Sequence, residues 1–149
     1  MTNNDTLRRL RYALNIDDAK VAEIISLTGR ATTPEEVVAW LKREDEKGCV
    51  ELSHALLCRF LDGLIIEKRG PHPSGTIPEP PDFLPNNEIL KKLRIALNLK
   101  EADVLAVFKK ADFVVTKAEL GSFFRKDGHR NYRKCPEQVI RKFIHGLSI

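Results

Sequence analysis

Apolar residues recur along this chain at helical spacings. Leu7, Leu10 and Leu14 follow one another at three and four residues, with Ala13 beside them, and predict one amphipathic helix. Val21, Ile24, Ile25 and Thr28 predict a second, and Val37, Trp40 and Leu41 a third. Leu56, Leu57, Phe60, Leu61 and Leu64 form the widest stripe and predict the most buried helix. Polar punctuation falls between the stripes. Asn3 or Asn4 and Asp17 or Asp18 suit helix starts, where a short polar side chain satisfies free first-turn amides. Thr33-Pro34-Glu35-Glu36 is a capping box with proline at the first helical position. The fourth helix opens near Ser53. Asn15 and Gly29 suit the left-handed geometry that ends a helix. No segment alternates with period two, so the fold class is all-α.

The pattern is then repeated. Asn86–Leu99, NNEILKKLRIALNL, restates Asn3–Ile16, NNDTLRRLRYALNI, at an offset of 83 residues that holds without a gap to the end of the chain. Val104, Val107, Phe108 and Ala111 repeat the second stripe; Leu120, Phe123 and Phe124 the third; Val139, Ile140, Phe143, Ile144 and Leu147 the fourth. The expectation is two tandem four-helix repeats, residues 1–69 and 86–149, related by a pseudo-twofold axis. Residues 70–85 hold six of the eight prolines and should run extended between them. The alternative role for that segment, a recognition motif for a proline-binding domain, is less economical than a connector. A unit of about 64 residues buries little of its surface alone. The two copies should therefore pack on each other, or the protein should dimerise.

Polar residues that recur need a reason of their own. The asparagines and threonines among them are expected at caps. Arg11 and Glu36, with their counterparts Arg94 and Glu119, are expected to pair and tie the first helix of each copy to the start of the third. Gly63 and Gly146 interrupt helical patterns, which costs about 1 kcal/mol each. Their recurrence points to a close backbone approach, expected where copies or subunits touch.

Charge separates what the fold repeats. Residues 3–66 carry 9 Lys/Arg against 11 Asp/Glu, while residues 86–149 carry 14 against 7. The contrast is sharpest before the fourth helix of each copy. Copy one reads Arg43-Glu44-Asp45-Glu46-Lys47-Gly48-Cys49. Copy two places Arg125, Lys126, His129, Arg130, Tyr132, Arg133 and Lys134 within ten residues. Cations interleaved with an aromatic can contact phosphates and stack on a base. The plain alternative is a solvated loop. A helix-turn-helix over Asp18–Leu41 is weak, because the turn is long and copy two lacks the glycine. His129, Tyr132 and Cys135 show no orienting partner of the kind a nucleophilic site needs. His54, His145 and His72 stand apart, and no pair of His or Cys has ligand spacing. No catalytic residue, metal or cofactor is assigned.

No apolar run approaches the roughly 18 residues of a membrane span. The polar opening MTNNDTLRRLRYALNI does not read as a secretory signal. Three cysteines, Cys49, Cys58 and Cys135, are expected as reduced thiols of a cytoplasmic protein.

At NNDTLRRLRYALNI, AWLKREDEKG, FLDGLIIEKRG, NNEILKKLRIALNL and FFRKDGHRNYRKC the chain resembles the YehS family of small bacterial cytosolic proteins. The resemblance covers nearly the whole chain. It implies a tandem duplication of a helical domain and carries no activity, cofactor or site residue with it. The functional expectation is a non-catalytic binding or regulatory module. The partner would be nucleic acid or an acidic protein, met by the basic second copy. The alternative is a protein–protein adaptor or homodimer using an apolar groove between repeats near Trp40, Gly63 and Gly146.

Overall fold

A computed structural model describes residues 1–149 as eight α-helices and no strand. Copy one contains α1 (Asn3–Leu14), α2 (Asp18–Ser26), α3 (Pro34–Leu41) and α4 (His54–Arg69). Copy two contains α5 (Asn86–Ala96), α6 (Glu101–Lys110), α7 (Lys117–Phe124) and α8 (Glu137–Ser148). Within each copy the second helix lies across the fourth. Between copies, α4 packs on α5 and α8 packs on α1. These two crossings exchange under the 83-residue shift, so they are the two halves of one pseudo-twofold interface. α1, α4, α5 and α8 make the centre, and 29 buried residues drawn from both copies form a single core. Neither copy closes its own core, as expected from the large surface-to-volume ratio of so small a unit.

Local signals in the sequence account for most helix ends. Thr33 and Thr116 cap α3 and α7, each with a reciprocal bond from the glutamate three residues on. Asp17 caps α2 and Ser53 caps α4. Asn15 and Asn98 leave α1 and α5 in the left-handed region at φ 53° and 54°. Gly29 takes φ 90° two residues beyond the α2 cap, and its counterpart Asp112 adopts φ 52°.

Three expectations are corrected. The first concerns the paired asparagines. Thr2 caps α1, and Pro85 stands at the cap of α5 with no side-chain bond. Asn4 and Asn87 are instead buried clamps. The Asn4 amide donates to the Trp40 and Val50 carbonyls, both at 2.8 Å, and its oxygen accepts from the Leu52 amide at 3.0 Å. Asn87 repeats all three bonds on Phe123, Arg133 and Cys135, at 3.0, 2.8 and 2.9 Å. Asn3 and Asn86 add one bond each, to the carbonyls of Leu52 and Cys135. The first turn of each copy thus holds the long connection between its third and fourth helices.

The second concerns the arginines. Arg11 pairs with Asp18 at 2.9 Å and Glu36 with Arg30 at 2.8 Å. Arg94 donates to the Leu99 carbonyl at 3.0 Å and lies over the Phe124 ring, 4.7 Å from its centroid. Glu119 is spent on its own capping box. No Arg11–Glu36 or Arg94–Glu119 ion pair forms, because Arg11 meets Asp18 at the start of α2 and Arg94 meets the Leu99 carbonyl just beyond α5.

The third concerns the glycines. A Cβ on Gly63 would sit 2.1 Å from the Ile24 carbonyl oxygen, and one on Gly146 2.1 Å from that of Val107. The close approach is between helices of one copy, α2 over α4 and α6 over α8. Trp40 is likewise 3% exposed, inside the core. No partner groove is built around these three residues.

Five substitutions test this scheme by chemical denaturation. Gly63→Ala and Gly146→Ala should each cost about 3 kcal/mol, since the obstacle is backbone. Asn4→Ala and Asn87→Ala should each cost about 3 kcal/mol, because buried carbonyl and amide groups lose their partners. Asn3→Ala, which removes one half-buried bond, should cost about 1 kcal/mol.

Candidate functional site

The connection between α7 and α8 is built as a rigid platform with a charged rim. Arg125 ends α7 in an extended conformation. Two successive turns follow: the His129 amide donates to the Lys126 carbonyl and the Tyr132 amide to the His129 carbonyl, both at 2.9 Å. The Arg133 amide then donates to the Ser122 carbonyl at 3.1 Å, and the Asn87 clamp closes the return. Copy one follows the same path, with the Glu46, Cys49 and Val50 amides in the corresponding bonds. The backbone is therefore common to both copies, and side-chain chemistry alone distinguishes them.

In copy one that chemistry is self-neutralising. Arg43 pairs with Glu46 at 3.2 Å, Lys42 donates to the Lys47 carbonyl at 3.1 Å, and Glu44, Asp45 and Glu51 add negative charge. In copy two, Arg125, Lys126, Arg130, Arg133 and Lys134 are all exposed, and none enters a salt bridge. The structure brings Arg125, Lys126 and Tyr132 together around an open cleft of about 510 Å³, with Lys91 from α5 as a further cation. Lys134 and Tyr132 reach an adjoining cleft of about 480 Å³ beside Met1 and Glu137. Glu88 and Asp127 also line the first cleft and temper its charge. Burial, then the charges of Asp127 and Glu88, push the Tyr132 phenol up from its ordinary range, so it stays a hydrogen-bond donor. Lys91 was not legible as a site residue. Its only signal in the sequence is a place one turn from the clamp residue Asn87.

His129 Nδ1 accepts from the Asn131 amide at 3.0 Å within the turn, which leaves Nε2 as the ring nitrogen facing solvent. Cys135 lies beneath the platform at 4% exposure, and burial pushes its thiol up to about 12. Cys58, between α4 and α5, is pushed up to about 11 by burial and then by the Asp62 charge. A nucleophilic thiol needs the opposite environment. His54 serves the fold: its Nδ1 accepts from the Leu84 amide at 3.2 Å, and its ring stacks on Phe83.

The family described as protein of unknown function DUF1456 matches the chain twice, over residues 3–70 and 86–149. The chain belongs to the DUF1456 family. The double match coincides with the repeat and with the two structural copies. Uncharacterized protein YehS of Escherichia coli (strain K12) is 39% identical over 148 residues, which span 99% of this chain and 95% of that protein. No solved structure matches the chain. No helix is long and apolar enough to cross a membrane.

The thiol environments can be checked directly. At about pH 8, Ellman's reagent should titrate one thiol of the native protein, the half-buried Cys49, and all three in guanidinium chloride. Rapid reaction of Cys135 in the native protein would show that the platform opens.

Proposed function

We propose that this DUF1456 protein is a cytoplasmic, non-catalytic binding module whose basic second copy engages the backbone of a nucleic acid. The observation that carries this reading is the contrast between equivalent loops. One backbone path holds five exposed cations without an acidic partner in copy two and a neutralised, acidic set in copy one. Unpaired exposed cations are free to contact phosphates. Tyr132, half-buried at the mouth of the adjoining cleft, offers a ring face and a phenol donor. Single-stranded RNA or DNA suits the short platform better than a duplex, because no helix projects from the rim to enter a groove. The rival partner, an acidic protein surface, would use the same cations.

Fluorescence anisotropy of labelled RNA, single-stranded DNA and duplex DNA separates the two. Single-stranded binding should weaken with salt along a log–log slope of up to about −3.5, the value for five neutralised phosphates. Arg130→Glu/Arg133→Glu should make the slope shallower by about 1.4. Tyr132→Ala should weaken single-stranded binding by about tenfold or more while leaving the slope unchanged. Absence of binding near physiological salt, or binding indifferent to the double variant, would reject the nucleic-acid reading and leave an acidic protein as the partner.

A further inference from the structure

Leu27, Ile77 and Ile95 are three of the nine large apolar side chains that stand exposed on this chain. All three converge on one cavity of about 540 Å³. That volume is typical of small-molecule sites, which run from roughly 300 to 1,000 Å³. The cavity lies where α4 crosses α5, shares no lining residue with the clefts at the basic loop, and has the linker from Gly70 to Pro78 as its outer wall. Ile65 and Ile66 complete the apolar lining. Exposed apolar groups gathered into one concavity are unusual on a monomer surface, unlike the same groups scattered singly.

One charged pair stands in this apolar setting. Lys92 of α5 donates to the Asp62 carboxylate of α4 at 2.6 Å, with side-chain exposures of 18% and 9%. An ammonium has three N–H donors. Asp62 is the partner of one of them, and no other acceptor lies in reach. The second Asp62 oxygen accepts from the Cys58 thiol at 3.5 Å. Arg69, exposed and without an acidic partner, stands at the rim. Two cations thus face one carboxylate in the cavity lining, and Lys92 keeps donors beyond the one that Asp62 takes.

The second copy shows that the fold does not require this arrangement. At the equivalent crossing of α8 on α1, Asp62, Ile65, Lys92 and Ile95 are replaced by His145, Ser148, Arg9 and Tyr12. Leu27 is replaced by Lys110. There the cleft is smaller, about 370 Å³, is lined by Arg8, Arg9, Tyr12, Ile144, His145 and Ser148, and no linker covers it. The same backbone crossing is built without a linker wall and without an ion pair between its two helices. Residues that differ so consistently at one crossing are serving something other than the packing of the two copies.

We propose that the cavity under the linker binds a small amphipathic carboxylate. Its apolar body would lie on Leu27, Ile65, Ile77 and Ile95, and its carboxylate would take the free donors of Lys92 with Arg69 at the rim. A neutral ligand would leave those donors unused, and a nucleotide would waste the apolar wall. Pro71, Pro73 and Pro78, with the turn closed by the Gly75 amide on the His72 carbonyl at 2.8 Å, restrict the linker wall before the ligand arrives, which lowers the ordering cost of binding. The site is independent of the basic loop.

Methyl NMR on protein labelled at Ile, Leu and Val tests it, with decanoate as probe below its micelle-forming concentration and decanol as the uncharged control. Decanoate should give saturable shifts at Leu27, Ile65, Ile77 and Ile95, and should bind at least about tenfold more tightly than decanol, the worth of a charge-assisted hydrogen bond. Ile65→Ser/Ile95→Tyr imports the side chains that the other crossing already accommodates. It should keep the helical fold and weaken decanoate at least about tenfold. Asp62→Leu/Lys92→Met, which leaves no unpaired buried charge, should bring the two probes to equal affinity. The proposal is overturned by any of three results: no saturable shift with decanoate; equal binding of decanoate and decanol by the unaltered protein; or shifts spread over Val38, Val50 and Val114, which mark adsorption to the surface.

Discussion

A single buried amide in each copy determines how the rest of the structure is held. Asn4 and Asn87 sit one residue into the first helix of their copy and bind one carbonyl in the last turn of the third helix and two backbone groups of the segment that joins it to the fourth. That segment is long, polar and without secondary structure of its own. Its buried carbonyls and amides would otherwise lack partners, at a cost no exposed loop incurs. By meeting them, one side chain fixes the angle at which the fourth helix leaves. The fourth helix then carries the interface between copies and, through Gly63 or Gly146, the seat for the second helix. The paired asparagines explain why so irregular a connection has one conformation twice over.

On this shared frame the copies have diverged at solvent and at the crossings rather than in the core. The platform formed by residues 125–135 and its counterpart have the same hydrogen-bonding path, with cations free in one and neutralised in the other. The two inter-copy crossings are equivalent in backbone, yet one has a buried acid–base pair under a proline-rich strap and the other an open cationic cleft. A duplicated fold supplies its own control. What both copies keep is attributable to folding, and what one copy alone has acquired is a candidate for function. Tight packing enforces the first class, because a methylene added against a neighbouring backbone has nowhere to go. Solvent leaves the second class free to change.

Much of the architecture was already determined by local physical chemistry along the chain. The 3.6-residue spacing of Leu, Ile, Val and Phe, the capping boxes at Thr33 and Thr116, and the left-handed asparagines at 15 and 98 act over a few residues. The repeat made the all-α, two-copy arrangement legible, and the cluster from Arg125 to Lys134 was visible as charge. What only the tertiary structure decided involves partners distant in sequence. Asn4 reads as a cap until Trp40, Val50 and Leu52 are brought to it, and Glu36 is taken by Arg30, which leaves Arg11 to the nearby Asp18. Gly63 receives α2 of its own copy, a fact set by helix crossing and not by spacing. Lys91 joins the basic cleft, and Lys92 meets Asp62, only once the copies dock. Side-chain periodicity encodes which face of a helix is buried, but the identity of the group it meets depends on how the chain returns on itself.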